Sequence, residues 1–232
     1  MGKRELIVVC GLVSIVLLLV NANPASSAIV TPKIGGAQVG GMGLMIMPEI
    51  SISGNNVVVM YNNMPWIPLT GTDRPVLRPL ASTDSFATSA AYYNALNGKA
   101  YNFQYAWDPD PGLAASLLTT GGKIWIELTE QSPGLKTYDK DNSALPIFGT
   151  DGVENKIKFN ESMDHNYYAV TPGYADWYAI YNVYVGDATS GAPIAGYYGA
   201  TVRFDWVSIP EPATMTLMGM GIVYLFGSRR KT

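Results

Sequence analysis

Apolar and polar residues alternate with a period of two through much of the middle of the chain. In Ala175–Val185, Trp177, Ala179, Tyr181, Val183 and Val185 fall on one face, with Tyr178, Ile180 and Tyr184 on the other. Gly199–Val207 sets Val202, Phe204 and Trp206 against Arg203 and Asp205, and Lys123–Thr129 sets Ile124, Ile126 and Leu128 against Lys123, Trp125 and Glu127. Such alternation marks half-buried strands, whose side chains project to opposite faces in turn. Leu44–Ser53 and Asn56–Tyr61 are two further strand candidates, and Ser53-Gly54-Asn55 between them suits a tight hairpin.

Helical signals are few. Asp110-Pro111-Gly112 ahead of Leu113–Leu118 predicts a short helix with Asp110 as its N-cap and proline in its first turn. Ser85–Asn97 reads two ways. Phe86, Ala90, Tyr93 and Leu96 fit a helix, but Asn97-Gly98 is a strong hairpin signal and favours strand or loop beyond Asn97. Pro32–Gly43 is glycine-rich and reads as a leader into the first strand. Short strands at turn-limited spacing, without regular strand–helix alternation, predict a mainly β fold. The expected architecture is an antiparallel β-sandwich, jelly-roll or Ig-like, with one or two short helices. It occupies residues 29–208, between an N-terminal signal helix and a C-terminal hydrophobic helix.

Both ends carry addressing signals. Lys3 and Arg4 precede an apolar run from Leu6 to Val20, and small residues lead to Ala28. That order is the layout of a secretory signal peptide over residues 1–28, cut by signal peptidase between Ala28 and Ile29. The run of 15 residues is shorter than the roughly 20 a spanning helix needs. Cys10, the single cysteine, leaves with it, so the remaining chain has neither disulfides nor thiolate ligands. At the other end Ile209-Pro210-Glu211-Pro212 is followed by an apolar segment to Phe226 and by Arg229, Arg230 and Lys231. Ala213–Ser228 has 16 residues, about 24 Å as a helix against a hydrocarbon core of about 30 Å. The basic cluster acts as a membrane stop that stays cytoplasmic.

This tail resembles the PEP-CTERM sorting signal of Gram-negative bacteria. Pro210, Glu211 and Pro212 match the recognition triplet. Gly219 and Gly221 match the small residues of the helix, and Arg229, Arg230 and Lys231 match the basic stop. Ile209 stands where valine is commonest. The resemblance spans 209–232 and implies recognition and removal of the tail by an exosortase. It implies a precursor held transiently in the inner membrane, and a product delivered to the cell surface or medium. Proteins with this tail accompany exopolysaccharide and biofilm production. Physically, Pro210 and Pro212 lack backbone donors and keep the segment extended, so Glu211 is presented as a charge at the membrane surface.

Composition narrows the remaining classes. Charged residues are 14% of the 232, below the roughly 25% of an average soluble domain, and hydrophobic residues are 48%. The net charge of -3 provides no polybasic footprint, so nucleic acid is not an expected partner. His165, within Met163-Asp164-His165-Asn166, is the only histidine, and no Gly-x-Ser-x-Gly elbow accompanies it. It reads as a loop histidine hydrogen-bonded near a strand start. Glu127 and Glu130 are the carboxylates a hydrolase would draw on, but no enzyme is expected. Asp108 with Asp110, Asp139 with Asp141, and Asp151 with Glu154 cluster oxygen ligands in turns. A structural calcium is the only cofactor they suggest, although acids are also ordinary turn residues.

The aromatic residues also read two ways. Tyr92, Tyr93, Tyr101, Trp107, Trp125 and Trp177 form a platform for sugar rings if exposed and a core if buried. The resemblance of the tail implies an exported surface or matrix protein with a structural or adhesive role in exopolysaccharide. The alternatives are a carbohydrate-binding module and, third, an extracellular hydrolase.

Overall fold

A computed structural model describes residues 27–36 and 45–210. The signal segment before residue 27, the glycine-rich stretch 37–44 and the tail from 211 onward lie outside the described residues, and with them both expected terminal helices. The chain runs β1 (Ala28–Val30), β2 (Glu49–Ser53), β3 (Asn56–Tyr61), β4 (Met64–Pro65), β5 (Val76–Leu77), β6 (Asp84–Phe86), α1 (Tyr93–Leu96), β7 (Ala100–Asn102) and β8 (Ala106–Pro109). It continues through α2 (Leu113–Thr120), β9 (Gly122–Gln131), β10 (Lys136–Asp139), β11 (Pro146–Ile147), β12 (Lys156–Lys158), β13 (Asp164–Val170), β14 (Ala175–Asp187) and β15 (Ala200–Ser208). The fold is mainly β, as the alternation predicts.

One sheet has five strands in the order β12-β9-β14-β15-β5, and a second has eight, with β11-β10-β13-β8-β2-β3-β4 as its path and β7 paired to β13. The long strands of the first sheet follow their sequence pattern. Ala179, Tyr181, Val183 and Val185 of β14 and Val202, Phe204 and Trp206 of β15 are all buried. The second sheet contributes Ile50, Val57, Val59, Trp107, Tyr168 and Val170 to the same core. Across the interface Tyr168 tilts against Trp206 at 4.5 Å, and Trp107 meets Tyr181 edge-on at 5.4 Å. Tyr105, just ahead of β8, stacks on Phe204 with centroids 4.1 Å apart and planes 3° from parallel. Aromatic pairs in such offset and edge geometries hold more than their buried area alone. The two sheets thus share one aromatic core.

A second cluster lies on the other side of the eight-stranded sheet. Phe86, Leu96, Tyr101, Phe103, Tyr138, Tyr167 and Ala169 pack there, covered by α1 and the β1–β6 ribbon. Strand β13 is therefore buried along its whole length.

Several expectations are corrected. The pairing is not wholly antiparallel: β1 with β6, β2 with β8 and β5 with β15 run parallel. The parallel partners are short segments laid on by long connections, which alternation does not encode. Strand β2 starts at Glu49 rather than Leu44. Its hairpin to β3 is as expected, with Ser53 opposite Asn56 and Gly54 at φ 59° in the turn. Beyond Asn97 the chain is turn and then strand β7, as expected, but Asn97-Gly98 closes the one-turn helix α1 and not a hairpin. Asp110 is not the N-cap of α2; Gly112 holds that position, and the Asp110 carboxylate accepts from its N–H at 2.7 Å.

Strand β9 carries a register shift opposite Ile180 and Tyr181, where Thr129 is the extra residue. A bulge of this kind moves the following side chains to the other face. Glu130 would otherwise share the core face with Leu128, yet it stands outside and accepts a hydrogen bond from the Tyr178 hydroxyl.

Candidate functional site

The best-defined site is the place where the chain leaves the fold. At the end of β15, Val207 and Ser208 are flanked on one side by Val76 and Leu77 of β5 and on the other by Ala175 and Asp176 of β14. The Ile209 N–H donates to the Leu77 carbonyl at 3.2 Å. Ser208 Oγ accepts from Trp177 Nε1 at 2.9 Å and donates to the Gly173 carbonyl at 2.5 Å. Hydrogen-bonded backbone therefore continues to Ile209, two residues before the proline-flanked glutamate. Pro210 is half-buried at the exit. Glu211, Pro212, Arg229, Arg230 and Lys231 lie outside the described residues.

The opposite junction is also superficial. Ala28 and Ile29 are exposed, and Ile29 pairs in parallel with Ser85. Val30, the next residue, packs on the second hydrophobic cluster. A cut between Ala28 and Ile29 leaves Ile29 and Val30 to hold this ribbon.

The structure disperses the chemistry that the sequence offered. His165 is buried at the second position of β13, with Nδ1 2.9 Å from the Phe103 carbonyl. A carbonyl only accepts, so Nδ1 carries the proton. Burial holds this imidazole below its ordinary range, with the carbonyl bond opposing. Asp164 precedes it on an extended strand, so their side chains project to opposite faces and form no pair. Asp164 is 9% exposed and its carboxyl is pushed up to about 7, first by desolvation, then by Asp139 and Asp141. Asp108 is likewise raised by burial. Glu49, opposite Asp108 in the parallel β2–β8 pair, is raised by desolvation and then by Asp110 and Asp108. The acidic neighbours of Glu49 and Asp164 come from other strands and turns, so the sequence offered Asp164 only as a partner for His165 and gave no signal for Glu49.

The acidic turns are organised by their own backbone. Asp139 Oδ1 accepts from the N–H groups of Asp141 and Asn142, both at 2.9 Å, and Asp141 pairs with Lys140. Asp151 pairs with Lys136. Among the described residues no group of three or more His, Cys, Asp or Glu side chains is placed to hold a metal ion. Glu127 accepts from Asn155 Nδ2 at 3.2 Å, and Glu130 accepts from Tyr178.

The aromatic platform is corrected in the same way. Trp107 and Tyr101 are fully buried, in different clusters. Trp125 is covered by Gly191, donates Nε1 to the Asp187 carbonyl at 3.0 Å, and has the Lys156 ammonium over its ring at 5.3 Å. Trp177 is half-buried and bound to Ser208; Tyr92 and Tyr93 are half-buried around α1. These rings form no shared exposed plane. Among the described residues the exposed tyrosines are instead Tyr174 and Tyr198, at 72% and 66%.

Comparison with known proteins bears on the exit alone. The PEP-CTERM protein-sorting motif matches residues 208–231, from the last residue of β15 to the basic cluster. No curated protein and no solved structure matches the chain. The tail is thus a PEP-CTERM sorting motif, the mark of an exported protein sorted by an exosortase.

Proposed function

We propose that this chain is a structural or adhesive component of an exopolysaccharide matrix, delivered to the cell surface as a β-sandwich body and freed or attached by removal of its tail. The carrying observation is the sorting motif beginning on the final residue of the last strand. Signal peptidase takes residues 1–28, the body comprises 29–208, and exosortase acts on 209–232. The role is non-enzymatic. Most of its large aromatic rings build the core, and its only histidine is spent on a backbone carbonyl.

The test is Glu211→Ala in a cell that has the exosortase. The expected outcome is full-length precursor, seen by intact mass, accumulating in the inner-membrane fraction. Wild-type levels of tail-free product in the surface fraction or medium would overturn the sorting step. Extracted exopolysaccharide should retain the wild-type body and lose it when the body is unfolded.

A further inference from the structure

We infer that, while the precursor is held by its tail, the loop Thr171–Tyr174 lies against the membrane interface, with Tyr174 as its lipid contact. The inference rests on the tail reading above and concerns how the folded body meets the bilayer.

The linker between body and apolar segment is short. Backbone order persists to Ile209, whose N–H is bound to Leu77. Three residues separate it from Ala213, where the apolar segment starts, and the four steps between them span at most about 14 Å when extended. Headgroups occupy about 5–7 Å of that on each side of the hydrocarbon. The exit end of the body is therefore confined to the membrane surface.

The residues at that end suit the position. Ala175 pairs with Ser208, which places Tyr174 beside Ile209. The Ser208–Gly173 hydrogen bond ties the loop to the exit strand. Tyr174 is 72% exposed, and tyrosine, with an apolar ring and a polar tip, is the side chain that favours headgroup depth. Asp176, two residues beyond Tyr174, is paired with Arg74 at 2.9 Å, so these two side chains add no net charge there. Tyr198 is also exposed, but its N–H is bound to the Asn55 carbonyl two residues before β15, so the nine residues of that strand separate it from the exit. At about 3.3 Å per residue those nine span about 30 Å, beyond the reach of the bilayer surface at the exit end.

The experiment uses the full chain with Cys10→Ser and single cysteines from Tyr174→Cys, Tyr198→Cys or Met220→Cys, each spin-labelled. The proteins are reconstituted in vesicles of phosphatidylethanolamine and phosphatidylglycerol, with oxygen and a water-soluble nickel chelate as relaxants. The label at 220 should read as hydrocarbon, at 174 as interface and at 198 as water. A Gly-Ser spacer of about six residues after Ile209, roughly 13 Å in root-mean-square span, should shift 174 to the water value and leave 220 unchanged. Water at 174 with hydrocarbon at 220 in the unspaced chain would overturn the inference and leave the tail reading intact. Water at 220 would overturn both.

Discussion

Asp164 gives the sharpest test of the packing between β8, β10 and β13. Its carboxyl sits at 9% exposure, opposite Trp107, with Asp139 and Asp141 nearby and only Lys140 opposing them. Moving from an ordinary 3.8 to about 7 corresponds to about 4 kcal/mol against the charged form. In the unfolded chain this acid loses its proton near pH 4; in the folded protein it keeps it until about 7. The folded state thus binds more protons across that window, and the folded state loses stability as pH rises through it. Asp164→Asn removes the titration while keeping the shape. Urea unfolding followed by tryptophan fluorescence at pH 4 and pH 8 should show the variant nearly equal to wild type at the lower pH. At the higher it should be about 3–4 kcal/mol more stable. His165 titrates in both proteins and largely cancels in the difference. Equal differences at the two pH values would refute the reasoning, because a purely steric effect has no proton linkage.

Two further substitutions probe the core and a close backbone approach. Phe204→Ala removes the ring that Tyr105 stacks on and that Trp107, Tyr181, Trp66 and Trp206 surround; chemical denaturation should record a loss of about 4 kcal/mol, against less than about 0.5 kcal/mol for Tyr198→Ala. Gly191→Ala puts a methyl 2.9 Å from the Trp125 ring at a φ of 68°, so it should cost about 2 kcal/mol or more in thermal unfolding and alter the fluorescence of Trp125.

The parts of the fold legible in the sequence are those with one buried face. Strands β14, β15 and β3 alternate because one side packs on the core and the other does not, and their extents follow the pattern closely. Strand β13 is the counterexample. Hydrophobic clusters cover both of its faces, so burial has no period of two, and its opening Asp-His-Asn reads as loop. The same burial explains Trp107: a tryptophan between two packed sheets and one on a ligand face share a local sequence. The parallel pairings of β5 and β1 depend on where long connections return, which no local signal records. The tail was legible because its information is linear, a triplet, an apolar run and a charge cluster in order.

That contrast bears on how the two parts work together. The sorting motif follows β15, a strand paired with β14 over its whole length and with β5 at its last two residues. A pull along the axis of that strand would load those hydrogen bonds together, in shear, instead of peeling them one at a time. The clamp of Leu77 on Ile209 adds a bond at the point where peeling would start. A tail held in a membrane, as proposed above, would therefore load this body without unravelling it from its last strand. The clamp fixes that strand up to Ile209, two residues short of the glutamate of the sorting motif.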